Sequence, residues 1–176
     1  MRKINLGCGD NRLQGWQNFD REIDIGKPPL PFGDRSVDFI LCEHCLEHVG
    51  YYDAIEFLKE CKRVLKTGGV VRIVVPSLER IANCGNQEYF EFTTKWQNIG
   101  PTVRGAMHAI LYQHGHQTAW TSSLLKATMF YCGFDGIEEC HPERSKHEEL
   151  RDVDGHHHVI GRRFNDVEST VIEGTA

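Results

Sequence analysis

The sequence of 176 residues predicts one α/β domain, an open and mostly parallel sheet with helices on both faces and an antiparallel last strand. Three observations carry this. The chain starts with a strand, a Gly-Cys-Gly turn (Gly7 to Gly9) and a second strand, Trp16 to Asp20, tipped with a carboxylate. The apolar pattern then passes from a continuous run over Val37 to Cys42, to a helical stripe over Asp53 to Leu65, and back to a run over Val70 to Val75. Strand, helix and strand in that order imply parallel neighbours joined by right-handed crossovers. Finally, a helix beginning at Thr121 or Ser122 and reaching about Cys132 is closed by Gly133 and followed by a strand from Ile137 to Cys140.

Each element has a local reason. Ile4 and Leu6 share one face of the first strand, and Gly7 and Gly9 let the backbone turn sharply and approach a ligand. Only Asp10 to Gly15 separates that turn from the second strand, too short for a helix. Arg21 to Phe32 carries Ile23-Asp24-Ile25, a rudimentary third strand at most, before prolines 28, 29 and 31 make a rigid turn. In the helix Asp53 to Leu65, Ala54, Leu58, Cys61 and Leu65 form one stripe, Asp53 is placed to cap, and Gly68 or Gly69 to stop it. A further helix is expected from Ser77 to about Tyr89, and a last antiparallel strand from Val167 to Gly174 at the sheet edge.

A Gly-x-Gly turn between strands, with an acid closing the second strand, is the way an open α/β sheet holds a nucleoside. The backbone faces the ligand, and Asp20 is placed to accept hydrogen bonds from ribose hydroxyls. A dinucleotide fold needs a third glycine and a helix N-terminus for the pyrophosphate; here Arg12 stands at the third glycine position and the helix is missing. A nucleoside without phosphate loses much less by that.

Leu-Gly-Cys-Gly (Leu6 to Gly9), Leu-Pro-Phe (Leu30 to Phe32), Ser-Val-Asp-Phe-Ile (Ser36 to Ile40), Leu-Glu-His-Val (Leu46 to Val49) and Arg-Val-Leu-Lys-Thr-Gly-Gly (Arg63 to Gly69) occur in order. In these motifs the chain resembles the class I S-adenosylmethionine-dependent methyltransferases, and within them a compact subgroup whose first helix is cut to a loop. The resemblance covers residues 3 to about 80, with a weaker echo over about 116 to 140. It implies a Rossmann-like core of about 1–80 and 118–176, a small substrate lid of about 90–117 after the fifth strand, and S-adenosylmethionine as cofactor. The implied cofactor contacts are Leu6, Gly7, Cys8, Gly9, Asp20 and Glu43. Asp24 is either an adenine contact or a solvated loop acid.

Methyl transfer from a sulfonium needs a nucleophile in line and, for a hydroxyl acceptor, a base; histidine suits that role. His44, at the end of the Val37 to Cys42 strand, and His116, in the 90–117 segment, are the candidate catalytic residues, with His114 beside the latter. Phe90, Phe92 and Trp96 of that segment serve either a lid or the packing of a small subdomain. The acceptor class is a small molecule, sugar or peptide, methylated on oxygen or nitrogen.

Two other readings stay open. One is a module that binds S-adenosylmethionine without turnover. The other is a zinc hydrolase, because His44-Cys45-Leu46-Glu47-His48 fits His-x-x-Glu-His and a helix there would put His44 and His48 on one face. That reading leaves Gly7 to Gly9 and Asp20 without a role, so no metal is expected.

Composition limits the partners. With 20 basic and 25 acidic residues, a net charge of -5 and no Lys/Arg run, a nucleic-acid surface is not expected. Neither is a membrane partner or signal peptide, because no apolar stretch reaches spanning length and the chain enters a strand at once. The seven cysteines, an odd number, are expected as reduced thiols in a cytoplasmic protein. Self-association stays open. His156-His157-His158 is expected to bind metal ions only adventitiously.

Overall fold

Lys3–Leu6 (β1) buries Ile4 and Leu6 completely and pairs in parallel with Gln17–Phe19 (β2) on one side and Val37–Glu43 (β3) on the other. In this computed structural model residues 1–95 and 98–176 are described; Trp96 lies outside the described residues. Tyr51–Val64 (α1) returns the chain to Leu65–Pro76 (β4), parallel to β3. Leu78–Asn83 (α2), Gln87–Thr94 (α3) and Val103–Tyr112 (α4) follow, then Ser122–Tyr131 (α5) and Asp135–Cys140 (β5). His157–Ile160 (α6) and Arg162–Glu168 (α7) precede Ser169–Thr175 (β6). The sheet order is β2-β1-β3-β4-β6-β5, with β6 antiparallel to both neighbours.

The two faces of the sheet are covered differently. On one, Ile40, Cys42, Val71, Ile73 and Val75 meet Phe57, Leu58 and Cys61 of α1 and Leu125 and Met129 of α5. Each large side chain buried this way contributes about 1.5–3 kcal/mol. On the other face Phe39, Leu41, Val70, Val74 and Val171 are covered by Leu13, Trp16, Leu150 and Val153. The loop at residues 10–16 stands where a first helix would be. Its backbone is satisfied by side chains: Asn5 donates to the Asn11 carbonyl at 2.8 Å, and Asn18 accepts from the Leu13 N–H at 2.9 Å.

The structure redraws several expected boundaries. No strand forms at residues 23–25, so β2 is the sheet edge. Helix α1 starts after Gly50, which leaves Asp53 in the first turn instead of capping it. The expected helix from Ser77 to Tyr89 is two helices. Gly85 at φ 57° breaks it, and the Asn86 side chain caps the second by accepting from the Tyr89 N–H at 3.0 Å. The last strand is interior, not at the edge, because β5 adds outside it.

The reason lies at Arg72. Its guanidinium is fully buried, donates to Asp154 Oδ1 at 2.8 Å and Glu173 Oε1 at 2.6 Å, and so neutralises the Glu173 carboxylate that the interior position of β6 buries. The same contact fastens residue 154, and the loop leading to it, onto the sheet.

Helices α3 and α4, with α2 and α7, form a satellite cluster around Ile81, Tyr89, Phe90, Ala106 and Ile110. Phe90 packs there, and Phe92 stacks on Phe164 at 4.8 Å. All seven cysteines are unpaired thiols. Among the described residues no helix is long and apolar enough to cross a membrane.

Candidate active site

Two cavities open at the carboxyl ends of the parallel strands. The first, about 560 Å³, is lined by Asn5, Gly7, Cys8, Gly9, Arg12, Glu43 and the 155–159 segment, among others. The second, about 390 Å³, lies beside it between residues 44–48, Phe92, Ile110, His114, His116 and Glu168. His44, His156 and Val159 line both and form the wall where they meet.

The glycine turn forms the floor of the first cavity. Gly7, at φ 67°, has Cys45 packed against it, and a Cβ there would stand 2.5 Å from the Cys45 sulfur. Gly9, at φ 46°, faces open space: a Cβ would meet nothing within 4 Å. The backbone at Gly9 is therefore a cradle kept clear for a ligand, which fits a nucleoside cofactor. The Gly9 N–H donates to Asp20 Oδ1 at 3.3 Å, tying the acid at the tip of β2 to the turn.

The expected contacts divide. Gly7, Cys8, Gly9 and Glu43 line the first cavity. Leu6 is buried in the core and delivers the turn. Asp20 stands beside Gly9, half-exposed, without lining the cavity. Asp24 is held elsewhere, 2.9 Å from Lys27 and accepting from the Gly26 N–H at 3.0 Å, which keeps its carboxyl below the usual range. Glu43 has a partner that its position at a strand end does not reveal. It accepts from the backbone N–H groups of Gly155 at 2.7 Å and His156 at 2.9 Å, and from the Asn11 side chain at 3.1 Å. It thereby clamps a distant segment across the crevice.

His44 and His116 both reach the second cavity. His44, at φ 45°, stacks on His156 with ring centroids 3.6 Å apart, and its Nε2 lies 3.0 Å from Ser169 Oγ. Burial opposes a charge on His44, but the Glu47 carboxylate, with Glu168 and Glu43, outweighs it and raises the pKa. His116 is the opposite case. Burial pushes its pKa down, and its Nδ1 lies 2.5 Å from the Ile110 carbonyl oxygen. A carbonyl only accepts, so Nδ1 carries the proton and Nε2 is left with the lone pair.

The segment that delivers His116 is laced to the 3-10 turn Leu46–His48. Gln117 and Thr118 donate backbone N–H groups to the Glu47 carbonyl at 2.8 and 3.1 Å, and the Gln117 side chain donates to the His48 carbonyl at 2.6 Å. The helix that would give His44 and His48 a common face does not form. His44 follows β3 in a left-handed conformation, and only Leu46–His48 is helical.

Glu168, and His156 beyond its place in the histidine run, are site residues that the sequence does not single out. His156 Nε2 lies 3.2 Å from Glu168 Oε1, and Tyr89 donates to Glu168 Oε2 at 2.6 Å. Burial would raise the Glu168 pKa, but His156, His44 and Tyr89 hold it below the usual range. The one signal for His156 was the internal run of three histidines.

Residues 16–73 match the family model described as a methyltransferase domain. An uncharacterized protein of Methanocaldococcus jannaschii is 38% identical over 72 residues, covering 41% of this chain and 31% of that protein. The chain thus matches less than a third of the length of that curated relative. Among solved structures, a Haloferax volcanii protein described as a methyltransferase, in complex with the Trm112 methyltransferase activator, superposes with a TM-score of 0.59 at 15% identity, over 99% of this chain and 82% of that one. A SAM-dependent methyltransferase from Archaeoglobus fulgidus gives 0.57 at 13% identity, over 99% and 86%. One from Thermotoga maritima gives 0.53 at 19%, over 99% and 81%.

Proposed function

We propose, from its match to a methyltransferase family model and its resemblance to the class I S-adenosylmethionine-dependent methyltransferases, that this chain moves a methyl group from the first cavity to an acceptor held in the second. The observation that carries this is the shared wall: His44, His156 and Val159 line both cavities, and the glycine turn lines the first. The cofactor is S-adenosylmethionine, which when bound supplies a methyl group on a positively charged sulfur. Gly7, Cys8 and Gly9 give it a backbone floor, and Asp20 receives the ribose hydroxyls. Leu6 acts through its backbone, and Glu43 by holding Gly155 and His156 in place.

Transfer is an in-line displacement, so the chain's work is alignment and exclusion of water, with the reacting atoms about 3–3.5 Å apart. The His44–His156 stack fixes the aperture between the cavities. His116 accepts the acceptor's proton at Nε2, since Nδ1 is already committed to Ile110. The acceptor is a small molecule, sugar or peptide with a hydroxyl or amine. The cavity is small, and its apolar lining of Phe92 and Ile110 is broken by imidazoles and carboxylates.

The test offers hydroxyl and amine acceptors together with labelled cofactor. His116→Asn keeps a donor for the Ile110 carbonyl but removes Nε2, and should slow transfer by about 10²–10⁴-fold with cofactor affinity unchanged. An unchanged rate in that variant removes His116 from the chemistry.

A further inference from the structure

Glu47 is 2% exposed, and neither of its carboxylate oxygens has a hydrogen-bond partner, although it lines the second cavity. His44 Nδ1 is 3.4 Å away, a charge contact without a hydrogen bond. A buried carboxylate left this way is costly unless something else completes it. Two imidazoles stand ready. One ligand atom each from Glu47, His48 and His116 lie within 4.8 Å of one another. Ligand atoms about 2.0–2.2 Å from a tetrahedral ion stand about 3.3–3.6 Å apart, so side-chain movements of about 1 Å bring the three onto one ion.

We propose that Glu47, His48 and His116 bind a divalent first-row metal ion on the acceptor side of the site. Two imidazole nitrogens and one carboxylate oxygen select ions such as zinc or manganese over magnesium or calcium, which prefer all-oxygen shells. Three protein ligands leave a coordination position open towards the cavity. On the methyl-transfer reading given above, and only there, that position receives the acceptor's oxygen, and with the ion bound the Glu47 oxygen that does not ligate it takes the proton that His116 Nε2 takes without one. The ion site itself does not depend on that reading.

A second group, His44, His156 and Glu168, also has ligand atoms within 4.8 Å. Its atoms are already spent: His44 Nε2 on Ser169, His156 Nε2 on Glu168, and Glu168 on Tyr89 as well. The difference between the two groups is that the Glu47 carboxylate accepts no hydrogen bond and has only the charge contact with His44. The lacing of Gln117 and Thr118 to Glu47 also holds the first set together without an ion, which favours binding by reducing the ordering it costs.

Chelator-treated full-length protein is titrated with zinc and with manganese, without cofactor or acceptor. Binding at one ion per chain is expected, with affinity lowered about 10-fold or more in Glu47→Gln and in His116→Gln. Glu168→Gln, and the pair His157→Ala and His158→Ala, should bind as the parent does. Circular dichroism checks that each variant folds. At an ion concentration 100-fold above Kd the parent Tm should rise by about 5–10 °C and that of Glu47→Gln should not. Absence of stoichiometric binding, equal binding by Glu47→Gln and His116→Gln, or binding lost with the 157/158 pair would each overturn the proposal. Failure to methylate any acceptor would count against the transferase reading and leave the ion site standing.

Discussion

Gly9 combines two constraints in one residue. Its φ of 46° is costly for any side chain, and it lines the first cavity with nothing within 4 Å of where a Cβ would stand. Gly9→Ala should therefore lower stability by about 1–2 kcal/mol and weaken cofactor binding as well. Thermal denaturation and calorimetry measure the two effects separately; a loss of stability with undiminished affinity would place the ligand elsewhere. At this scale the sequence was partly legible. Gly7, Gly9, His44 and His116 announce themselves by residue type and motif. Glu43 was found for its place at a strand end, but its actual partners lie 112 and 113 residues away. No local pattern encodes such a pairing, and for the same reason the His156–Glu168 contact is not legible in the sequence.

Among the elements, those with a strong local period were readable and those set by tertiary contact were not. Helices α1 and α5 carry their stripes in the sequence, and Thr121 caps α5 by accepting from the Leu124 N–H at 3.1 Å. The interior position of β6 depends on Arg72, whose role only the packed sheet reveals.

Glu139 on β5 shows how the late elements are joined. It accepts from Arg80 of α2 at 3.1 Å, from Lys126 of α5 at 2.8 Å, and from the Ser122 hydroxyl. Burial works against the charge, but Lys126, Ser122 and Arg80 together bring its pKa down to about 2. A folded pKa below the unfolded value of about 4.3 means that the group stabilises fully above that value. Its contribution is then lost as pH falls towards 2. Denaturant midpoints measured from pH 5 to 2 should fall less steeply in Glu139→Gln than in the parent; identical slopes would show that the clamp contributes nothing.

The whole molecule divides its work between a regular sheet and irregular segments. Parallel strands β1 and β3 bring the glycine turn and His44 to one edge. Phe92, the stretch from Ile110 to His116, and residues 155–168 supply the remaining walls. This is why the cofactor half could be read from short motifs while the acceptor half could not. Specificity resides in contacts between segments far apart in the chain, and the fold alone does not define it.

The most direct measurement of the central claim is calorimetric titration of chelator-treated protein with S-adenosylmethionine and, separately, with its demethylated product. The account predicts micromolar binding at one site per chain for both. Failure of both to bind the folded protein would contradict it.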